Sequence, residues 1–284
     1  MTDNELARAI CAELRAEHRK PVCRFRLEEG EPDIFSSKVD GVPYLPKDMP
    51  WPLDSQGHPL ALLAQIDCAD LMGLTDLPTA GLLQFFVGQD DVYGMDFDDE
   101  TSQADFRVLY HETPDPSVTR EEVTAKRPAW DEERYGEAYT PVGTPMRMVF
   151  SPPEEAGIVP GDYRFPALFV QRWNERRPDA PLRSYWEVCS RQPEGQKDYE
   201  IFDDPDQRAP SHQVGGWPFF TQNDPRTPEE HPDFEILLFQ LDSEMRDRKD
   251  LVLWGDCGVG GFFIRPEDLR ARDFSRVMYN WDCG

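Results

Sequence analysis

The chain matches itself at a fixed spacing. Gly41-Val42-Pro43 lines up with Gly216-Trp217-Pro218, and Leu62-Leu63-Ala64-Gln65-Ile66-Asp67 with Leu237-Leu238-Phe239-Gln240-Leu241-Asp242, both 175 residues apart. Phe85-Phe86 and Phe262-Phe263 follow at a spacing of 177. Three collinear matches predict a duplicated β-rich unit whose copies pack with pseudo-two-fold symmetry, since so long a period is outside the solenoid range. In each copy a Gly-x-Pro turn leads to an apolar strand ending in Gln and Asp. Buried amides need partners, so Gln65 and Gln240 are predicted to take equivalent places and to bond neighbouring backbone. The expected fold class is α+β: β-rich, internally duplicated, with few short helices. The expected organisation is one domain over 1–284, with a helix in 1–20, a first unit over 36–110, a Pro- and acid-rich connection over 111–211 and a second unit over 212–284.

Local patterns fill in this frame. Thr2 and Asp3 can cap a helix in which Leu6, Ile10 and Leu14 recur every fourth residue beside Ala7 and Cys11, until Lys20-Pro21 ends it. Val22 to Leu27 alternates as a strand with one wet face. Pro32, Pro43, Pro46, Pro50 and Pro52 then forbid long regular elements. Strands are predicted over Leu62–Asp67, Leu82–Val87, Phe106–Tyr110, Met146–Phe150, Phe234–Leu241, Leu251–Trp254 and Gly261–Ile264. A short helix is expected between Asp67 and Leu74. Between Glu112 and Gln213 the prolines and acids predict loops, with a helical stretch around Leu182–Arg191.

Charge excludes several functions. Lys and Arg number 30 against 55 Asp and Glu, a net charge of −25. Phosphate backbones and anionic leaflets are repelled at that charge, so no nucleic-acid or membrane partner is expected. The same field would steer a basic protein partner. Hydrophobic content of 39% is too high for a disordered acidic chain. The longest aliphatic run, Leu60–Ala64, is far short of a membrane span, and the charges throughout Met1–Lys20 do not read as a secretory signal. A cytoplasmic location is therefore expected. Six dispersed cysteines with no C-x-x-C pair read as free thiols, and Cys283, in acidic surroundings, as inert. No cofactor is expected, and the oligomeric state is left open.

At this point the residues resemble a known family. Gly41-Val42-Pro43-Tyr44-Leu45-Pro46, Trp51-Pro52 and Leu60–Asp67 look like the N-terminal signature of the YwqG-like proteins, mostly bacterial and carrying a domain of unknown function. His212–Pro218 with Gln222-Asn223-Asp224, and Trp254–Gly258 with Phe262-Phe263-Ile264, Glu267-Asp268-Leu269 and Phe274-Ser275, extend the resemblance to nearly the whole chain. Gly260-Gly261 departs from the family pattern and predicts a bulge or tight bend there. The resemblance implies a fold but no reaction.

Chemistry must then come from the residues. No G-x-S-x-G, P-loop, H-E-x-x-H or G-x-G-x-x-G occurs, and none of the five histidines stands at metal-ligand spacing to another. Asp90, Asp91, Asp96, Asp98, Asp99 and Glu100 fail the EF-hand pattern, because the sixth and twelfth positions from Asp96 hold Thr101 and Arg107. A solvated acidic loop is the expectation, and no metal site. Trp254-Gly255-Asp256-Cys257-Gly258 ends a strand in a turn that either consumes Asp256 in its own backbone bonds or offers it to a pocket. The candidate ligand-binding residues are Trp254, Asp256, His212, Gln213, Gln222, Asp224, Gln65 and Gln240; no catalytic residue is assigned. Two functions follow. The leading one is a non-catalytic binding or interaction protein, of the acidic inhibitor or immunity type. The alternative is an enzyme or small-ligand binder with a cleft between the repeats, using Asp256, His212 and Gln240.

Overall fold

Thr2 starts the first helix through a capping box: its side chain accepts from Glu5 N while its own N–H donates to the Glu5 carboxylate. The computed structural model describes residues 2–71, 73–74, 76–192, 198–203, 205 and 209–284. Its elements in chain order are α1 (Asp3–Glu17), β1 (Arg19–Glu29), β2 (Lys38–Val39), β3 (Ala61–Asp67), β4 (Leu82–Val87) and β5 (Phe106–His111). Next come α2 (Arg120–Thr124), α3 (Glu132–Tyr135), β6 (Met146–Phe150), β7 (Glu154–Gly157), α4 (Phe165–Arg176) and α5 (Glu187–Ser190). The chain ends with β8 (Gln213–Gly215), β9 (Ile236–Asp242), β10 (Glu244–Arg246), β11 (Lys249–Val252), β12 (Val259–Ile264), α6 (Pro266–Ala271) and β13 (Met278–Asp282).

One sheet runs in the order β13-β12-β9-β8-β1-β6-β2-β3-β4-β5. The pairs registered along it are antiparallel. β1 joins the two arms. Its first residues pair with β7, Val22 to Arg24 pair with β8, and Phe25 onward pairs with β6, which is why it is 11 residues long. β4 and β9 stand six strand positions apart, roughly 29 Å in a flat sheet at about 4.8 Å per strand. Yet the rings of Phe85 and Phe239 stack with centroids 4.8 Å apart. The sheet is therefore curled into a half-barrel around a shared core of Phe25, Leu63, Phe85, Leu238, Phe239, Phe262 and Tyr279.

Both faces of β3 and β9 are covered, which explains their unbroken apolar runs. Leu63 and Ile66 enter the shared core while Leu62 packs outward with Trp51, Phe86, Val118 and Val123. Leu238, Phe239 and Leu241 point in while Leu237 meets Phe234, Phe263 and Met278. A separate helical layer forms where the α1 stripe of Leu6, Ile10 and Leu14 meets Phe165, Phe169 and Trp173 of α4. Each of those aliphatic side chains contributes about 1.5–3 kcal/mol on burial, so a charge at Ile10 would detach the helix.

Two glutamines tie the strands to the loops before them. Gln65 Oε1 accepts from Tyr44 N at 2.8 Å, and its Nε2 donates to the carbonyls of Ile34 and Ser36. Gln240 Oε1 accepts from Phe219 N at 2.9 Å, and its Nε2 donates to Ser211 O and Oγ. Each strand also carries a bulge: the β3–β4 register skips Leu63 and the β9–β12 register skips Leu238.

Several expectations need correction. α4 lies in the stretch where prolines and acids predict loops. Pro166 occupies the first helical turn, where a missing N–H costs nothing, and Phe165, Phe169 and Trp173 make the i, i+4, i+8 stripe behind it. The helix expected over Asp67–Leu74 is one 3₁₀ turn, Cys68–Leu71, and Met72 lies outside the described residues. The Leu182–Arg191 helix shrinks to α5. Leu253 and Trp254 lie outside β11, which starts earlier, at Lys249. β13 and α6 were not anticipated. The irregularity expected at Gly260-Gly261 falls between Phe262 and Phe263. Gly260 has another role: a Cβ there would lie 2.4 Å from the Trp254 ring, so only glycine lets the indole rest on the strand. Among the described residues, no helix is long and apolar enough to cross a membrane.

Candidate functional site

The second β-arm is tied to the helical layer by a loop that the sequence bends sharply. Gly215 and Gly216 both have positive φ, 72° and 73°, and a Cβ on Gly216 would come within 2.8 Å of Val22. The turn delivers Trp217, whose Nε1 donates to Ala156 O at 3.0 Å while Lys20 and Arg164 both lie over its ring.

Beyond it, a buried ion network welds residues 162–164 to residues 224–226. Arg226 donates to Asp224 through Nε at 2.9 Å and Nη2 at 2.7 Å, reaches Asp162 at 3.3 Å, and donates through Nη1 to Phe234 O. Arg164 clamps Asp162 in two bonds of 2.7 and 2.8 Å, and Tyr163 N donates to Asp224. Burial alone would raise the Asp162 carboxyl. The Arg164 hydrogen bonds and the charges of Arg226 and Arg164 outweigh it and hold the group below its usual range. Charges so deeply paired fix geometry more than they add stability.

That network positions a groove of about 490 Å³. Tyr163, Tyr185, Trp186, Phe202 and Phe220 give it aromatic walls; Gln222, Asn223 and Asp224 line its polar side. The Tyr185, Trp186 and Phe202 rings meet tilted or edge-to-face with centroids 4.6–5.4 Å apart, yet Trp186 is 49% exposed; Tyr199, in the same short turn as Phe202, is 56% exposed. Past Pro160, Gly161, Phe202 and Phe220 the groove runs into a deeper cavity of about 210 Å³ walled by Arg24, Asp203, Ser211, Gln213 and Trp217. Arg24 donates there to Gln213 Oε1 at 2.9 Å and pairs with Glu154 at 2.7 Å.

The candidate residues divide accordingly. Gln213, Gln222 and Asp224 line the groove or its inner cavity. Gln222 is anchored through Nε2 to Cys283 O, and Gln213 through Nε2 to Trp217 O. His212 is buried and committed: Nδ1 accepts from Asp242 N at 3.1 Å, which places the proton on Nε2, 3.1 Å from Glu244 Oε2. Burial would raise Glu244, but bonds from His212 and Arg246 bring it below its usual range. Gln65 and Gln240 are spent inside the sheet as described. Trp254 is fully buried against Tyr93 and Trp281. Asp256 stands exposed in the turn after it and lines neither cavity. Asp256, His212 and Gln240 thus do not meet in one cleft. Sequence reasoning missed Arg226, Asp162 and the Tyr185-Trp186 pair. An aromatic dipeptide inside a proline-rich stretch was the signal available for the last.

The acidic residues 90–100 serve turns: Asp90 Oδ1 accepts from Val92 N and Gly94 N, and Asp96 Oδ1 from Asp98 N and Asp99 N. Among the described residues, no group of three or more His, Cys, Asp or Glu side chains is placed to hold a metal ion. All six cysteines are free; four are buried, Cys283 is half-buried and Cys257 exposed.

Sheet, helical layer and groove together define a β-rich α+β protein with an aromatic surface cleft. The chain belongs to the family described as a domain of unknown function (DUF1963), which matches residues 37–283. A comparison with curated proteins found no match.

Proposed function

We propose that this protein is a non-catalytic binding protein, built from two copies of one β unit, that receives a basic protein partner at the aromatic groove. Support for the duplication comes from hydrogen bonds repeated at one offset of 175 residues. The Gln65 bonds to Tyr44 N and Ser36 O recur as Gln240 to Phe219 N and Ser211 O. Lys38 Nζ to Val42 O recurs as Gln213 Nε2 to Trp217 O. Ser37 Oγ accepts from Asp67 N as His212 Nδ1 does from Asp242 N. The bulged leucines, Leu63 and Leu238, keep the same offset. The YwqG-like resemblance and a cytoplasmic location belong to the same reading.

The observation that carries the binding role is the commitment of His212, Gln65, Gln240 and Trp254 to the fold, while Trp186, in the groove wall, stays open to solvent. Exposed Trp and Tyr beside a well-formed depression are the residues that anchor interfaces. Their faces attract Lys and Arg side chains, Asp203 lines the connected inner cavity, and a net charge of −25 steers a cationic partner inward. One observation favours a second reading: the inner cavity, with Arg24, Gln213 and Ser211 in its wall, suits a small polar ligand. A low-salt pull-down and a thermal-shift screen of metals, nucleotides and sugars separate the two. A basic protein that binds and is released by salt supports the partner reading. A small molecule that raises Tm while no basic protein is recovered overturns it in favour of the second.

A further inference from the structure

The walls of the inner cavity run against the charge of the chain. The protein carries −25 overall, yet among the described residues the cavity is lined by two arginines, Arg15 and Arg24, and one carboxylate, Asp203, which is exposed. Arg24 stands there because β1 pairs it with Gln213 of β8. Its side chain is only 16% exposed and its donors are only partly used. Nε donates to Glu154, which is not in the cavity wall, and Nη1 donates to Gln213 Oε1. Nη2 has no acceptor among the described residues. Ser211, two residues before Gln213 and buried, lines the same cavity. Its Oγ accepts from Gln240 Nε2 at 3.0 Å, and its own hydrogen has no acceptor among the described residues. Around these donors the wall is aromatic, from Phe202, Trp217, Phe219 and Phe220.

We propose that the inner cavity binds a small aromatic monocarboxylate, with its carboxylate on Arg24 and Ser211 and its ring among Phe202, Trp217 and Phe220. A guanidinium recognises a carboxylate by charge and by directed N–H bonds. Donors held away from water without an acceptor are the groups such a ligand completes. Size agrees with this class. A dry cavity of about 150 Å³ holds a benzene ring, so one of about 210 Å³ holds a ring that carries a single carboxylate. The ligand enters from the groove past Gly161 and Phe220, which line both depressions. The inference rests on the second reading above, a small-ligand cavity, and on nothing in the protein-partner reading.

The test titrates the full chain with benzoate, benzamide and benzylammonium at low salt, followed by ligand-observed NMR. Benzoate is expected to bind with a Kd of about 1 mM or tighter, at least about tenfold tighter than either of the others. Arg24→Gln is expected to bring benzoate to the benzamide level, and Ser211→Ala to weaken it about threefold or more. Should Arg24→Gln not fold, Gly161→Leu carries the test. A Cβ at Gly161 meets nothing within 4 Å, so the leucine adds bulk at the entrance without displacing the fold. It is expected to weaken benzoate about tenfold at an unchanged Tm. Benzoate binding that neither Arg24→Gln nor Gly161→Leu weakens overturns the proposal. Benzamide binding as tightly as benzoate overturns the carboxylate assignment and leaves the cavity a ligand site. No binding by any of the three overturns the proposal as well, and if the thermal-shift screen finds no stabiliser either, the small-ligand reading falls with it.

Discussion

Replacing Gln240 by Leu removes an amide without changing the volume it fills. Phe219 N loses its acceptor, and Ser211 O and Oγ lose their donor. A buried N–H left without a partner costs about 1–3 kcal/mol, and the buried Ser211 carbonyl puts the loss in the upper part of that range. Gln65→Leu strands Tyr44 N in the same way and also deprives the Gln84 amide of an acceptor at 2.8 Å, so about 2–4 kcal/mol is expected. Urea denaturation followed by tryptophan fluorescence reads both losses as shifts in midpoint at an unchanged slope. Gln→Glu at either site keeps the acceptor but loses the donor and introduces a buried charge, so it should be worse than Leu. If either leucine variant loses less than about 0.5 kcal/mol, that glutamine is not the tie described above and the matched networks lose their physical meaning.

Three further outcomes follow from named contacts. Lys38→Gln places in the first arm the residue that the second arm has at Gln213. Lys38 is charged when unfolded and, with its amine near 7, uncharged when folded, so between about pH 7 and 10.5 the unfolded state binds more protons and this lysine makes stability rise with pH. The variant should lose that rise relative to the parent in melts across the window; parallel curves would contradict the burial of the amine. Gly260→Ala brings a methyl to 2.4 Å from the Trp254 ring and should cost about 1–3 kcal/mol with a change in tryptophan emission, whereas an unchanged Tm would mean the indole does not rest there. Arg226→Leu leaves Asp162 and Asp224 buried without their shared cation and should cost about 3–5 kcal/mol by denaturant titration; a neutral effect would show that the network does not hold the groove wall.

The β-arms were legible because unbroken apolar runs and period-2 burial leave their mark on sequence. β4, β6 and the Gln65 and Gln240 strands fall within a residue or two of where the apolar runs put them. The two-residue strand β2 was not, since it owes its form to neighbours rather than to local pattern, and of the helix expected over Leu182–Arg191 only the single turn α5 forms. α4 shows a different failure: Pro166 reads as a breaker until it is known to lie in the first turn. At the site, Gln213, Gln222 and Asp224 were visible as polar residues beside a Gly-Gly turn. Arg226 was not, because the partner that buries it, Asp162, lies 64 residues away. Asp256 was singled out for its turn, but the exposure that separates it from the groove depends on how the two arms curl.

The binding role is tested most directly by locating it. Trp186 is 49% exposed, so Trp186→Ala should leave Tm nearly unchanged while removing the aromatic anchor. Parent and variant are immobilised separately, cell extract is applied at low salt, and the columns are eluted with rising salt. The account predicts that the parent retains at least one basic protein, released as salt screens the −25 charge, and that the Trp186→Ala column does not retain it. Equal retention on both columns, or retention that salt does not weaken, would contradict it.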